Sequence, residues 1–153
     1  MPLNIVLVEP EIHTNTGNIG RLSLATGATL HLVKPFGFEI NDSRLKRAGL
    51  DYWKHISLII YENIDEFFSK NNGKQMVFLS SHGKQSYWDI YYKEDMYFIF
   101  GKESQGLPKS IIEKNLDKTY SIPLHSDKVR SLNLANAVSV VIYEGLRNLN
   151  SLK

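Results

Sequence analysis

The sequence predicts an α/β domain with a mostly parallel sheet flanked by helices, and three observations carry that expectation. Short apolar runs of strand length alternate along the chain with helix-length amphipathic segments, the alternation that α/β sheets require. Runs such as LNIVLV are apolar almost throughout, as in strands covered on both faces. Clusters of Gly, Pro, Asn and Asp separate the elements and mark the turns.

Taken in order, Leu3–Val8 reads as a buried strand. Asn15–Thr26 reads as a helix entered through Gly and Asn. Ile19, Leu22 and Ala25 fall at helical spacing in it, and Gly27 ends it. Thr29–Val33 alternates as a strand, and Lys34–Ile40, with Pro35 and Gly37, reads as loop. Asp42–Ala48 has the pattern of a short basic helix, capped by Asp42 or Ser43 and ended by Gly49. Ile56–Tyr61 is a further strand, and Asn63 with Glu66 resembles a capping box opening the next helix. Gln75–Ser80 and Met96–Phe100 are strands, Pro108–Asn115 a helix with Pro near its first turn, and Thr119–Ile122 a last strand. Asn133–Leu149 is the strongest helix, with Leu134, Val138, Val141, Ile142 and Gly145 on one face.

At 153 residues, the length suits one domain spanning 1–153. With 42% hydrophobic and 22% charged residues, the chain is no disordered polypeptide. It has no cysteine, which excludes a disulfide framework, a thiolate metal site and a cysteine nucleophile. No apolar run approaches the roughly 20 residues of a membrane span. Met1-Pro2-Leu3-Asn4 lacks a basic n-region, so no secretory signal is expected. A net charge of +2 permits a nucleic-acid partner without demanding one.

In open parallel sheets, ligands sit at the carboxyl ends of strands, and three segments after strands hold the informative residues. The first is Asn15-Thr16-Gly17-Asn18-Ile19-Gly20-Arg21. Amides at a helix start favour anions, and Arg21 offers a fork of donors to a phosphate. A plain capped helix with an exposed arginine reads equally well. The second is Phe100-Gly101-Lys102-Glu103-Ser104-Gln105-Gly106-Leu107-Pro108, where glycine permits close backbone approach to a ligand or a tight connection to the next helix. The third runs from Ile122 through Lys128 and Arg130 to Ser131, Asn133 and Asn136. Its asparagines can cap the helix or bind a polar ligand.

The five histidines show no metal-ligand spacing, so no metal is expected. No serine sits in a nucleophile-elbow context. Arg44, Lys46, Arg47 and Lys54 interleave with Tyr52 and Trp53. That is the pattern of an RNA-facing patch or of an ordinary solvated face.

Together the three segments resemble the signature motifs of the SPOUT (SpoU–TrmD) RNA methyltransferases: NTGNIGR, FGKESQGLP and IPLHSDKVRSLNLANAVSVVIYE, in the family's order. The stretches LNIVLVEPEIHTNTGN and RLKRAGLDYW are similar to the small tRNA wobble-nucleotide 2′-O-methyltransferases of the TrmL (YibK) type. The resemblance covers essentially the whole chain. It implies a SPOUT-type α/β knot, with a C-terminal trefoil knot that general rules of chain topology would have rejected. It also implies a cytoplasmic homodimer and S-adenosyl-L-methionine as cofactor, released as S-adenosyl-L-homocysteine.

By resemblance the cofactor pocket falls on Leu79, Ser80, Gly101, Glu103, Gly106, Ile122, Leu124, Ser131, Leu132 and Ala135. The implied reaction is methyl transfer to the 2′-hydroxyl of the wobble cytidine or uridine of leucine tRNAs. Arg21, Asn18 and Asn133 match catalytic positions, with Glu103 and Arg130 as further positioning residues. Arg21 stands as base, as phosphate clamp or as both; a guanidinium is a very weak acid, which makes the first role chemically demanding. Arg21, Arg44, Lys46, Arg47, Lys128 and Arg130 are the expected tRNA contacts. The loop HSDKVRS is slightly longer than in some relatives, and Gly20 stands where some carry a larger residue. A sibling ribose methyltransferase with another RNA target, or a noncatalytic RNA-binding module, are the alternatives.

Overall fold

The computed structural model describes residues 2–39 and 53–150. Among them, seven strands form one sheet: β1 (Asn4–Val8), β2 (Thr29–Val33), β3 (Leu58–Tyr61), β4 (Met76–Leu79), β5 (Gln85–Ser86), β6 (Tyr97–Phe100) and β7 (Thr119–Ser121). Their order is β3-β2-β1-β6-β4-β7-β5, and every pairing is parallel. The helices are α1 (His13–Thr26), α2 (Ile64–Lys70), α3 (Lys109–Lys114) and α4 (Leu134–Asn150). The expected basic helix Asp42–Ala48, and with it Arg44, Lys46, Arg47 and Tyr52, lies outside the described residues.

The apolar runs became the sheet centre. All five residues of β1 and all four of β6 are buried. β1 runs in register with β2 from Asn4↔Thr29 to Val8↔Val33, and with β6 from Asn4↔Tyr97 to Leu7↔Phe100. Because side chains alternate across a strand, each strand feeds two cores. Ile5, Leu7, Leu30, Leu32, Phe98 and Phe100 pack with Ile19 of α1 and Val138, Val141 and Ile142 of α4. Val6, Val8, Val33, Phe78 and Ile99 pack on the other face with Phe67 of α2 and Ile111 and Ile112 of α3. A mid-sized buried aliphatic side chain is worth ~1.5–3 kcal/mol, so these two layers dominate stability. The predicted face of α4 is the buried one.

Element boundaries moved where tertiary contacts overruled local signals. α1 begins at His13, two residues earlier than the expected Asn15, and Ile12 at its cap offers no side-chain acceptor. The segment Asn15–Arg21 is helical as expected, but from Thr16 onward its amides fall inside the helix and not at its start. Gly27 closes α1 in the left-handed conformation, φ 73°, as the sequence suggested. At α2, Asn63 accepts from the Glu66 amide, while the Glu66 carboxylate accepts from the Glu62 amide, one residue before the helix cap. The short edge strand β5 escaped the sequence reading because two residues carry no periodicity. Gly20 admits Trp53: a Cβ there would meet the Trp53 ring at 2.6 Å.

Candidate functional site

Three segments remote in sequence converge at the carboxyl edge of β4, β6 and β7 to enclose a cavity of about 570 Å³. That lies within the ~300–1,000 Å³ of small-molecule sites. One wall is Leu79–His82, after β4. A second is Phe100–Gly106, after β6. The third comprises Tyr120, Ile122 and Leu124 after β7, then Arg130–Leu134 and Ala137 at the head of α4; Ile12 and Asn15 of α1 complete it. The second wall folds back on itself: the Gly106 amide donates to the Lys102 carbonyl at 2.8 Å. A Cβ on Gly101 would lie 2.0 Å from the Gly106 carbonyl carbon, so no other residue fits there.

Polar contacts tie the second and third walls to the head of α1. The Glu103 carboxylate accepts from the Glu11 amide at 2.9 Å and the Ile12 amide at 2.6 Å, and lies 3.4 Å from Asn15 Nδ2. It supplies from a distant loop the cap that α1 lacks locally. In return, the Ser104 amide donates to Glu11 Oε1 at 2.9 Å. Asn15 Oδ1 accepts from Asn133 Nδ2 at 3.0 Å. Asn133 Oδ1 caps α4 by accepting from the Ala135 and Asn136 amides, at 2.8 and 3.2 Å. The Ser104 side chain and amide hold Glu11 below the ordinary carboxylate value, against the smaller effect of burial and with help from Lys102. Lys102 also pairs with Glu9 at 3.7 Å. Among the described residues, no group of three metal-binding side chains occurs.

Of the expected cofactor residues, Leu79, Ser80, Gly101, Glu103, Gly106, Ile122, Leu124, Ser131 and Leu132 line the cavity. Ala135 does not; Leu134 and Ala137, three residues apart on one helical face, line it instead. Glu103 lines the cavity while its carboxylate is engaged with the Glu11 and Ile12 amides. Asn133 lines the cavity, as does Arg130, expected as an RNA contact. Asn18 and Arg21 do not line it; both are exposed on α1. Arg21 sits six residues beyond Asn15, roughly 9 Å farther along the helix axis. Lys128 is exposed and outside the cavity wall. The sequence reading assigned no role to Ile12, Asn15, His82 or Tyr120, all of which line the cavity. Asn15 was within a quoted motif, but nothing local paired it with Asn133.

Residues 2–143 match the SpoU rRNA methylase family. A tRNA (cytidine(34)-2'-O)-methyltransferase of Escherichia coli K12 is 43% identical over 148 residues, covering 96% of this chain and 94% of that protein. A structure solved in a study of 2-OH methylation of C/U34 on tRNA superposes with a TM-score of 0.92 at 40% identity, covering 97% of both chains. An AdoMet-bound rRNA methyltransferase from Sinorhizobium meliloti gives a TM-score of 0.84 at 26% identity over 97% of this chain and 57% of that one.

Proposed function

The chain belongs to the SpoU rRNA methylase family, and from that premise we propose that it methylates the 2′-hydroxyl of the wobble cytidine or uridine, position 34, of tRNA. The donor is S-adenosyl-L-methionine and the product S-adenosyl-L-homocysteine. The carrying observation is the convergence of all three motif segments on one cavity. The cavity fits the cofactor in size and in chemistry. Backbone-rich loops can read an adenine edge, and Leu79, Ile122, Leu124, Leu132 and Leu134 offer apolar surface to its face. When bound, the cofactor supplies a sulfonium-activated methyl group.

The remaining work falls to this chain's side chains. Asn15 and Asn133 fix the heads of α1 and α4 against the cavity. Arg21 meets the acceptor RNA, clamping a phosphate, easing loss of the hydroxyl proton, or both. Correct placement of the acceptor oxygen contributes to the rate by making the transfer effectively unimolecular.

The finer reading adds a homodimer, a trefoil knot, a cytoplasmic location and leucine tRNAs as substrates. Dimerisation is supported by Val140 and Tyr143 of α4 and Leu24 of α1, which stay 39%, 52% and 37% exposed. It is also supported by the distance of Arg21 from its own cavity, which a second copy can bridge. The knot is supported by the loops after β6 and before α4, which close on the same cavity. Arg130, Lys128 and Arg21, with Arg44, Lys46 and Arg47, supply the cations for tRNA phosphates. Among the described residues, no helix is long and apolar enough to cross a membrane.

The test is methyl transfer from labelled S-adenosyl-L-methionine into tRNA lacking the modification, followed by nucleoside mapping. A 2′-O-methyl pyrimidine at position 34 is expected. Label at another ribose would replace the substrate with that of a sibling enzyme. RNA binding without cofactor binding would make the protein a noncatalytic module.

A further inference from the structure

The loop that forms the cavity's second wall is held from outside the cavity by a side chain that does not line it. We propose that Glu11 is a positioning residue for the cofactor, acting through the Ser104 amide; this rests on the cofactor reading above. Ser104 lies at the outer bend of the Lys102–Gly106 turn, whose ends are already joined by the Gly106-to-Lys102 hydrogen bond. That bond closes the turn but does not set its angle to the rest of the cavity. Contacts with the segment before α1 set it, the Lys102–Glu9 pair among them. Glu103 reaches outward to the Glu11 and Ile12 amides, and Glu11 reaches back to the Ser104 amide.

The two carboxylates thus cross over, each accepting from backbone amides of the other's segment, and the turn cannot pivot on one bond. The base of this latch is itself fixed. The Gly37 amide donates to the Pro10 carbonyl at 3.0 Å, and a Cβ on Gly37 would lie 2.5 Å from the Glu11 carbonyl oxygen. Glu11 therefore projects from backbone held close against Gly37. Lys102, on the same turn, adds attraction for the Glu11 carboxylate. Glu103 keeps its bonds to the Glu11 and Ile12 amides, so loss of the Glu11 side chain leaves the helix in place and loosens only the Ser104 side of the turn.

The consequence is a separation of effects. Glu11→Ala should raise the cofactor KM and the S-adenosyl-L-homocysteine Kd roughly five-fold, the size of one lost hydrogen bond. Saturating kcat should stay within about two-fold. Glu11→Gln keeps an acceptor for the Ser104 amide and should recover most of the affinity. The measurements are S-adenosyl-L-homocysteine binding by calorimetry, cofactor KM and kcat, and melting temperature, for wild type and both variants. An unchanged Kd in folded Glu11→Ala, or a kcat loss with unchanged KM, overturns the proposal. Should Glu11→Ala not fold, Glu11→Ser, whose shorter side chain cannot reach the Ser104 amide, takes its place: a Kd raised about five-fold supports the proposal, and a wild-type Kd overturns it. A wild type that binds no S-adenosyl-L-homocysteine instead removes the cofactor reading itself.

Discussion

Asn4, His31, Tyr61, Asn71 and Tyr97 form a hydrogen-bonded chain sealed from water on the α2 side of the sheet. Glu11, Glu103, Asn15 and Asn133 form another, at the sheet's carboxyl edge, open to a cavity. In the first, the Tyr97 hydroxyl donates to Asn71 Oδ1 at 3.0 Å, and Asn71 Nδ2 to the Tyr61 hydroxyl at 3.2 Å. The Tyr61 hydroxyl lies 2.9 Å from His31 Nδ1, and His31 Nε2 lies 2.9 Å from Asn4 Oδ1. Asn4 Nδ2 donates to the Asp95 carbonyl at 3.1 Å, so its oxygen faces the ring. His31 is then neutral with its proton on Nε2, and Tyr61 donates to Nδ1. Every donor meets an acceptor, and nothing remains for a ligand. In the second network carboxylates and asparagine amides join three segments but leave backbone groups and space beside them. A saturated buried network specifies structure; one left open at the mouth of a sheet serves binding.

Three changes would sharpen or break this contrast. The largest effect is expected outside both networks. Arg21→Ala should cut kcat by about 10²–10⁴-fold, the range of a lost proton-transfer or orienting group, with cofactor affinity unchanged, since Arg21 does not line the cavity. Weakened cofactor binding in that variant would place Arg21 in the cofactor site.

Next comes the closed network's response to pH. Burial lowers His31 from its ordinary 6.5 to about 4. The folded state thus resists protonation that the unfolded chain accepts. The stability is fully present above about pH 6.5 and is lost as pH falls toward 4, by about 3 kcal/mol in total. Denaturant midpoints between pH 7.5 and 4.5, with the ring followed by NMR, test this. A His31 ring titrating near its ordinary value would show that the network is not sealed.

The smallest effect belongs to Asn133→Ala. It removes the α4 cap, worth ~1 kcal/mol, and the bond to Asn15. Cofactor Kd should rise by about five-fold to tenfold, while the pH dependence of stability stays that of wild type. A variant that loses stability but keeps its Kd would make the open network structural after all.

Much of the fold was legible because it rests on local pattern. The runs NIVLV and YFIF have the length and composition of buried strands, and Val138, Val141, Ile142 and Gly145 fall on one helical face. The cavity loops were legible through their resemblance to known motifs. Their glycines alone were ambiguous until Gly101 was seen pressed against Gly106.

By itself, then, the sequence determined the class of the sheet and the faces of its helices, because periodicity is a property of neighbouring residues, while the cavity's lining was legible through resemblance to known motifs. Tertiary structure alone decided where α1 begins, which asparagines meet, that Ala135 turns away from the cavity, and that Arg21 stands apart from it. Each depends on a contact between residues far apart in the chain. The carboxylate that caps α1 comes from Glu103, and no local rule can connect the two, because a hydrogen bond is set by distance in space and not along the chain.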